Sequence, residues 1–370
     1  MSRQSELAEL GRVYDGGALS SRNLVVNGAM TVAQRGTSAT GLTSSQYNSV
    51  DRYRFGVGSA GTWTMSQDTD APSGFAKSLK LDCTTADTDL GTTGYVQIEH
   101  KIEGQDVQHL NKGTADAKKM TLSFWCKSNK TGDFQVNLFD LDNARIDSAV
   151  ITINTSATWE YKTVTYDADT TGTLDDDNNG SLRLEFWLDA GTNYTSGTVP
   201  TTWQASSNPD RAAGVTLALA DSTSNYFQIT GIQLEVGDTA TPFEHRSYGD
   251  ELARCQRYFH REKGPVHGKS MWTYSGTRAS SVLNLPVAMR ARPTFTYNAT
   301  LEATLSASDS ICIYAINTWK GCSSITSSAS SNSNTRSVRL DAVFTTSITN
   351  GLSAGLYMNP DAYLDYDAEL

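Results

Sequence analysis

Seven tryptophans, at positions 63, 125, 159, 187, 203, 272 and 319, are the side chains best suited to hold a ligand directly. An indole face packs well on the apolar face of a sugar ring, although most tryptophans in a β protein belong to its core. Trp203, in the loop Thr201-Thr202-Trp203-Gln204-Ala205, and Trp272 with Tyr274 and Trp319 nearer the carboxyl end, are the candidates for a receptor- or glycan-binding surface. Trp125 and Trp187 point away from the apolar stripe of their own strands, toward a side that loops can cover.

Metal and nucleophile chemistry have weaker signals. Asp175, Asp177 and Asn179, followed by Gly180, reproduce the first half of a calcium loop, with oxygen ligands on alternate residues and a glycine for the sharp turn. The bidentate acid of an EF-hand would then fall at position 186, which is Phe186, with Glu185 beside it. A turn ahead of a strand at Leu182 is the preferred reading, with calcium on Asp175, Asp177 and Asn179 as the alternative; no other cofactor is expected. Gly56-Val57-Gly58-Ser59-Ala60-Gly61 matches a dinucleotide fingerprint, but Thr62 to Ser66 alternate as a strand where a helix is required, so a hairpin turn is expected. The five histidines form no i, i+4 pair, and the five cysteines form no C-x-x-C pair. Burial as small apolar groups is the reading for the cysteines. Neither a zinc-protease motif nor a nucleophile elbow is present, and the chain is expected not to be an enzyme, although a carboxylate pair in a β fold has no sequence signature.

The elements that must position these residues are strands. Hydrophobic residues make up 38% and charged residues 19% of the 370 positions. Both fall below the usual figures of about 45–50% and about 25%, with Ser, Thr, Asn and Gly filling the gap. Short alternating runs at Leu79 and Leu81, Val96 and Ile98, Leu122 to Cys126, Val136 and Leu138, and Leu182 to Leu188 predict a sandwich or jelly roll over 22–247. Similar runs through 248–370 predict a second, smaller β-sandwich, with ten Ser or Thr among residues 322–337 marking an exposed polar loop or hairpin tip. Ahead of both, Leu7, Leu10 and Tyr14 fall at helical spacing within 1–21, a helix too short to stand without a partner surface. The fold class expected is therefore all-β, a jelly-roll sandwich followed by a smaller β-sandwich, with a short N-terminal helical anchor.

The net charge of −10 is unevenly placed. Residues 1–247 hold 19 Lys plus Arg against 30 Asp plus Glu, and residues 248–370 hold 11 against 10. An acidic first module repels phosphate backbones, so nucleic acid is not an expected partner. No apolar run of 18 residues occurs and Met1 to Ser5 show no signal-peptide core, so membrane insertion is not expected, and assembly in the reducing cytoplasm is.

Between the modules, Phe227 and Ile229 hold one alternating face, then the phase slips at Gly231 and resumes at Ile232, Leu234 and Val236, the pattern of a β-bulge. Gly237-Asp238 and Thr241-Pro242 stop the strand, and Asp250 is placed to cap a helical turn carrying Leu252, Cys255 and Phe259. This run, with Gly231-Ile232-Gln233-Leu234-Glu235, Thr241-Pro242-Phe243-Glu244 and Cys255-Gln256-Arg257-Tyr258, resembles a signature of bacteriophage tail-fibre and related virion appendage proteins. Asn23 to Met30 with Gln34-Arg35-Gly36 and Asp51-Arg52-Tyr53 resembles the start of their jelly-roll module, Ile102-Glu103-Gly104 and Thr121 to Trp125 its middle, and Pro286 to Arg290 with Tyr363 to Leu370 their terminal domain. The resemblance implies a virion location, attachment to phage tail or other virion proteins through Leu7, Leu10 and Tyr14, a homotrimer, and adhesion to host surface glycan. A head decoration, a neck fibre or a polysaccharide depolymerase is the alternative.

Overall fold

The computed structural model describes residues 22–315, 317–327, 334–347 and 349–370. The helix expected around Leu7, Leu10 and Tyr14 lies outside these residues. The chain divides between Glu251 and Leu252 into two compact units, each of β-sheet.

The strands of the first unit are β1 (Ser38–Leu42), β2 (Gln46–Tyr47), β3 (Arg54–Gly58), β4 (Thr62–Asp68), β5 (Ser78–Thr85), β6 (Tyr95–Glu103) and β7 (Met120–Ser128). They continue with β8 (Gly132–Asp140), β9 (Arg145–Ile153), β10 (Glu160–Tyr166), β11 (Gly180–Ala190), β12 (Gln204–Ala205) and β13 (Tyr226–Val236), with a one-turn helix α1 (Thr192–Thr195) after β11. Two sheets result, in the orders β1-β4-β5-β13-β7-β10 and β12-β9-β8-β11-β6-β3-β2. All their pairings are antiparallel, and together they make the jelly-roll sandwich expected of this segment. Alternation turns Leu122, Phe124 and Cys126 of β7 inward against Leu184 and Phe186 of β11. Phe124 meets Phe186 edge-on at 5.3 Å, and Phe134 of β8 meets Phe227 of β13 at 5.4 Å, so aromatic contacts fasten one sheet to the other. Each fully buried ring of this kind contributes about 1.5–3 kcal/mol.

The phase slip at Gly231 is a bulge. Thr230 pairs with Trp125 and Gln233 with Ser123, so Gly231 and Ile232 stand against Phe124 alone, one residue in excess, and Gly231 takes φ +64°. A Cβ there would lie 2.7 Å from Cζ of Phe75, whose ring packs over the bulge. Beyond the bulge β13 leaves β5, and residues 23–28 take its place: Leu24 N–H donates to Leu234 O and Ile232 N–H to Gly28 O. Asn23 closes this clasp by accepting from the N–H groups of Val25 and Leu234 on Oδ1 and donating from Nδ2 to Ile232 O. The glycine string at 56–61 is a turn, but not that of a hairpin: β3 belongs to the seven-stranded sheet and β4 to the six-stranded one, so the turn is a corner between sheets.

A helix, α2 (Tyr248–Gln256), spans the division. Its cap is Ser247 rather than Asp250. The Ser247 hydroxyl accepts from Asp250 N–H at 3.2 Å and donates to the Asp250 carboxylate at 2.7 Å, a reciprocal pair at the first turn. Phe259 lies past the helix and opens the next strand.

The second unit contains β14 (Phe259–Lys263), β15 (Val266–Ser275), β16 (Arg278–Asn284), β17 (Thr294–Asn298), β18 (Thr300–Leu301) and β19 (Ser310–Ala315). It continues with β20 (Thr318–Lys320), β21 (Cys322–Ser327), β22 (Ser337–Phe344), β23 (Ser353–Met358) and β24 (Tyr363–Asp367). A small sheet runs β14-β24-β17, and a large one runs β18-β19-β23-β15-β16-β22-β21 with β20 on β19. Ile311 and Ile313, Leu356 and Met358, Val338 and Leu340, with Leu364 and Tyr366 of the small sheet, share its core. Of the Ser/Thr-rich run, Cys322–Ser327 forms β21 and pairs antiparallel with β22, while residues 328–333 lie outside the described residues. All five cysteines are buried.

Candidate functional site

Alternation along the large sheet of the second unit buries Met271 and Thr273 and leaves Trp272 and Tyr274 on the outer face, 46% and 36% exposed. Trp272 sits opposite Ser353 on one side and Ser280 on the other, and Ser280 sits opposite Asp341. Those polar neighbours are tied together. Ser280 Oγ donates to Asp341 Oδ1 at 2.6 Å, and Arg339 Nε donates to Ser280 Oγ at 2.7 Å with its guanidinium 5.1 Å from the Tyr274 ring centre. The result is a pair of rings set beside a fixed donor and a fixed acceptor.

A second group of rings lies on the same face. Trp319 of β20 opposes Tyr314 of β19, which opposes Gly355 of β23, so all three share the side that carries Trp272. Trp319 is 37% exposed and meets Tyr314 at 5.0 Å and Tyr357 at 4.9 Å, both edge-on. Two glycines make room for Tyr357 to lie flat: a Cβ on Gly355 would come within 3.0 Å of its ring, and one on Gly268, at φ +74°, within 3.1 Å of its hydroxyl. Two strand spacings and two residues of rise separate Trp272 from Tyr314, about 12 Å from backbone to backbone, and Trp319 lies one strand further out. A ligand touching both groups must be longer than one sugar ring.

Of the residues singled out from sequence, Trp272, Tyr274 and Trp319 are therefore brought onto one sheet face. Tyr314, Tyr357 and Arg339 join them without having been singled out. The signal was present in the alternation of Ile311 to Ala315 and of Ala354 to Met358, where each tyrosine holds the outward phase.

Trp203 is elsewhere, in the first unit, and is half-buried against that unit's core. Its Nε1–H donates to Asp167 O at 2.8 Å, and the Lys112 ammonium sits 4.6 Å from the ring centre, covering one face. Lys112 in turn is buried in ion pairs with Asp140 and Asp169, and Asp169 receives two hydrogen bonds from Arg145. This ring is a packing element of an ion-paired loop cluster, not the open loop residue expected.

At the calcium-like turn, both carboxylate oxygens of Asp177 accept from Asn179, one from its backbone N–H at 2.7 Å and one from its side-chain amide at 2.6 Å. Asp175 N–H donates to Asp142 Oδ2 at 3.0 Å. Among the described residues no three His, Cys, Asp or Glu are grouped to hold a metal ion.

Trp187 faces away from its apolar stripe, as its spacing requires, and is fully buried because residues 191–216 fold over that side of the seven-stranded sheet. Arg211 from this excursion stacks 4.8 Å from the Trp187 ring and donates to Glu185 Oε1 at 2.6 Å. Gln135 and Asn137 hold its backbone through Asp210 O and Arg211 O. Glu185 lies directly opposite Glu99 across β11 and β6, so two carboxylates share this side of the sheet. Burial alone would raise the Glu185 carboxyl, but Arg183 and Arg211 outweigh it and hold the group down at about 2. A general acid needs the opposite shift, so Glu185 has the electrostatics of an ion-paired carboxylate.

No family model and no curated protein matches the sequence. Among solved structures the chain is similar to the enzymatically active domain of bacteriophage CBA120 tailspike protein 4, at 12% identity and TM-score 0.32 over 58% of this chain and 21% of that one. It is also similar to TmCBM61 in complex with β-1,4-galactotriose, at 8% identity and TM-score 0.31 over 59% of this chain and 100% of that one. A family 30 carbohydrate-binding module is similar at 12% identity and TM-score 0.27, over 60% and 96%.

Proposed function

We infer that this is a virion appendage protein, a phage tail-fibre subunit that adheres to glycan on the host surface without cleaving it. The observation that carries the adhesive part is the outer face of the second unit's large sheet, where Trp272 and Tyr274 stand beside Arg339, Ser280 and Asp341 and a second aromatic group stands around Trp319. Exposed rings with fixed polar neighbours suit a saccharide, whose ring faces are apolar and whose rim is hydroxyl. The virion location, attachment through Leu7, Leu10 and Tyr14, and a homotrimer rest on the resemblance of the sequence motifs to tail-fibre proteins. In such a trimer, weak contacts multiply across copies.

The deciding experiment measures binding of the full chain to host-surface polysaccharide, with Trp272→Ala and Trp319→Ala variants. Each substitution is expected to weaken binding about tenfold, the equivalent of roughly 1.4 kcal/mol per ring. Unchanged binding in the double variant sinks the reading, and release of new reducing ends from the polysaccharide replaces adhesion with cleavage. Deleting residues 1–20 is expected to abolish attachment to the particle while leaving cell binding intact.

A further inference from the structure

The six-stranded sheet of the first unit has an outer face that departs from the usual polar pattern at one end. On β7 and β10 that face should carry small polar residues, and Ser123, Thr163 and Thr165 conform. Trp125 and Tyr161 do not. They oppose each other directly across the two strands, their ring centres are 5.3 Å apart at 49°, and Tyr161 is 47% exposed. Neither ring is needed by the core, which β7 supplies from its other side through Leu122, Phe124 and Cys126.

The strip continues beyond this pair. Trp159, two residues before Tyr161, donates from Nε1 to Asp70 Oδ1 at 3.1 Å. Lys127, two residues after Trp125, donates from Nζ to Asp70 Oδ2 and lies 5.8 Å from the Trp159 ring centre. From Trp159 to Thr165 the strip runs six residues of extended chain, about 20 Å. It is therefore long and narrow, with ring faces at one end and the exposed Thr163 toward the other, where Thr165 is already bonded to Thr121 and Asp238 O.

Charge decides what fits it. Asp70 and Lys127 neutralise each other, and Lys80 of β5, two strands from β7, is paired with Asp82 at 2.9 Å. Among the strip's own residues Lys127 and Asp70 hold each other, so neither charge is left for an anionic or a cationic ligand. We propose that Trp125, Trp159 and Tyr161, with Asp70, Lys127 and Thr163, form a second saccharide-binding strip that takes an uncharged linear oligosaccharide. It is separate from the aromatic face of the second unit and does not depend on it.

The test uses the full chain carrying Trp272→Ala and Trp319→Ala, so that only the first unit's strip is read, with cellohexaose and xylohexaose as neutral probes and oligogalacturonate of equal length as the anionic comparator. Titration calorimetry is expected to show binding of at least one neutral probe and none of the anion. Adding Tyr161→Ala is expected to weaken that binding about tenfold, while Tyr161→Phe, which keeps the ring, leaves it within about threefold. The inference is overturned if neither neutral probe binds, if the anion binds more tightly, or if Tyr161→Ala leaves affinity unchanged. It is overturned equally if Tyr161→Ala changes the sedimenting mass, which would make the strip a contact between copies. Loss of binding caused by Trp272→Ala alone, in the unmodified background, bears on the second unit's face and leaves this outcome distinct.

Discussion

Asp189 shows how one residue of the first unit ties stability to pH. Burial pushes its carboxyl up to about 6, against the hydrogen bonds it accepts from the N–H groups of Ala220 and Ala190. A carboxyl whose pKa rises on folding contributes stability that is complete below its unfolded value, near pH 4, and that is lost as pH climbs through 6. Asp189→Asn keeps the acceptor for Ala220 and cannot ionise. It is expected to raise stability at pH 7 by about 2 kcal/mol and to leave it nearly unchanged at pH 4. Denaturant unfolding at the two pH values checks this, and an equal effect at both would refute the role of ionisation. Asp147, also raised to about 6 by burial, keeps its own share of the pH dependence in that variant. Glu185 behaves oppositely, since its arginines stabilise the charge, and its immediate sequence shows only one of the two. Arg183 is two residues away, but Arg211 arrives on a distant loop.

At the scale of elements, the bulge in β13 was legible because its cause is local: a phase slip at a glycine can be seen in five consecutive residues. The clasp that the bulge permits was not legible. Asn23 and Ile232 are far apart in sequence, and only the fold shows that two of the motifs carrying the tail-fibre resemblance are opposite sides of one hydrogen-bonded pairing. The same contrast holds for Gly56 to Gly61, readable as a turn but not as a corner between sheets, and for Trp187, whose outward phase was visible and whose cover was not. Asn23→Ala is expected to cost about 3 kcal/mol, because it strands the N–H groups of Val25 and Leu234 in a buried place. Gly231→Ala is expected to cost about 2 kcal/mol through the left-handed backbone and the approach to Phe75. Chemical denaturation of the two variants measures both, and a loss below about 0.5 kcal/mol in either would mean that the clasp or the bulge relaxes freely.

The whole molecule carries two cores with no residue in common, one built around Phe124, Phe134, Phe186 and Phe227 and the other around Ile313, Leu340, Leu356 and Leu364. The shift from an acidic to a near-neutral composition near residue 247 is the sequence trace of this division, while its placement inside α2 depends on packing that composition does not report. A core that closes on itself unfolds as its own cooperative unit. Calorimetry of the full chain is accordingly expected to resolve two transitions. Gly231→Ala should lower one of them by roughly 5 °C, and Leu340→Ala, which empties a fully buried site in the second core, should lower the other by roughly 10 °C or more. If both variants displaced a single transition together, the cores would be one cooperative structure. Separate transitions would allow the saccharide strip on the first unit and the aromatic face on the second to be varied one at a time without either change being read through the folding of the other.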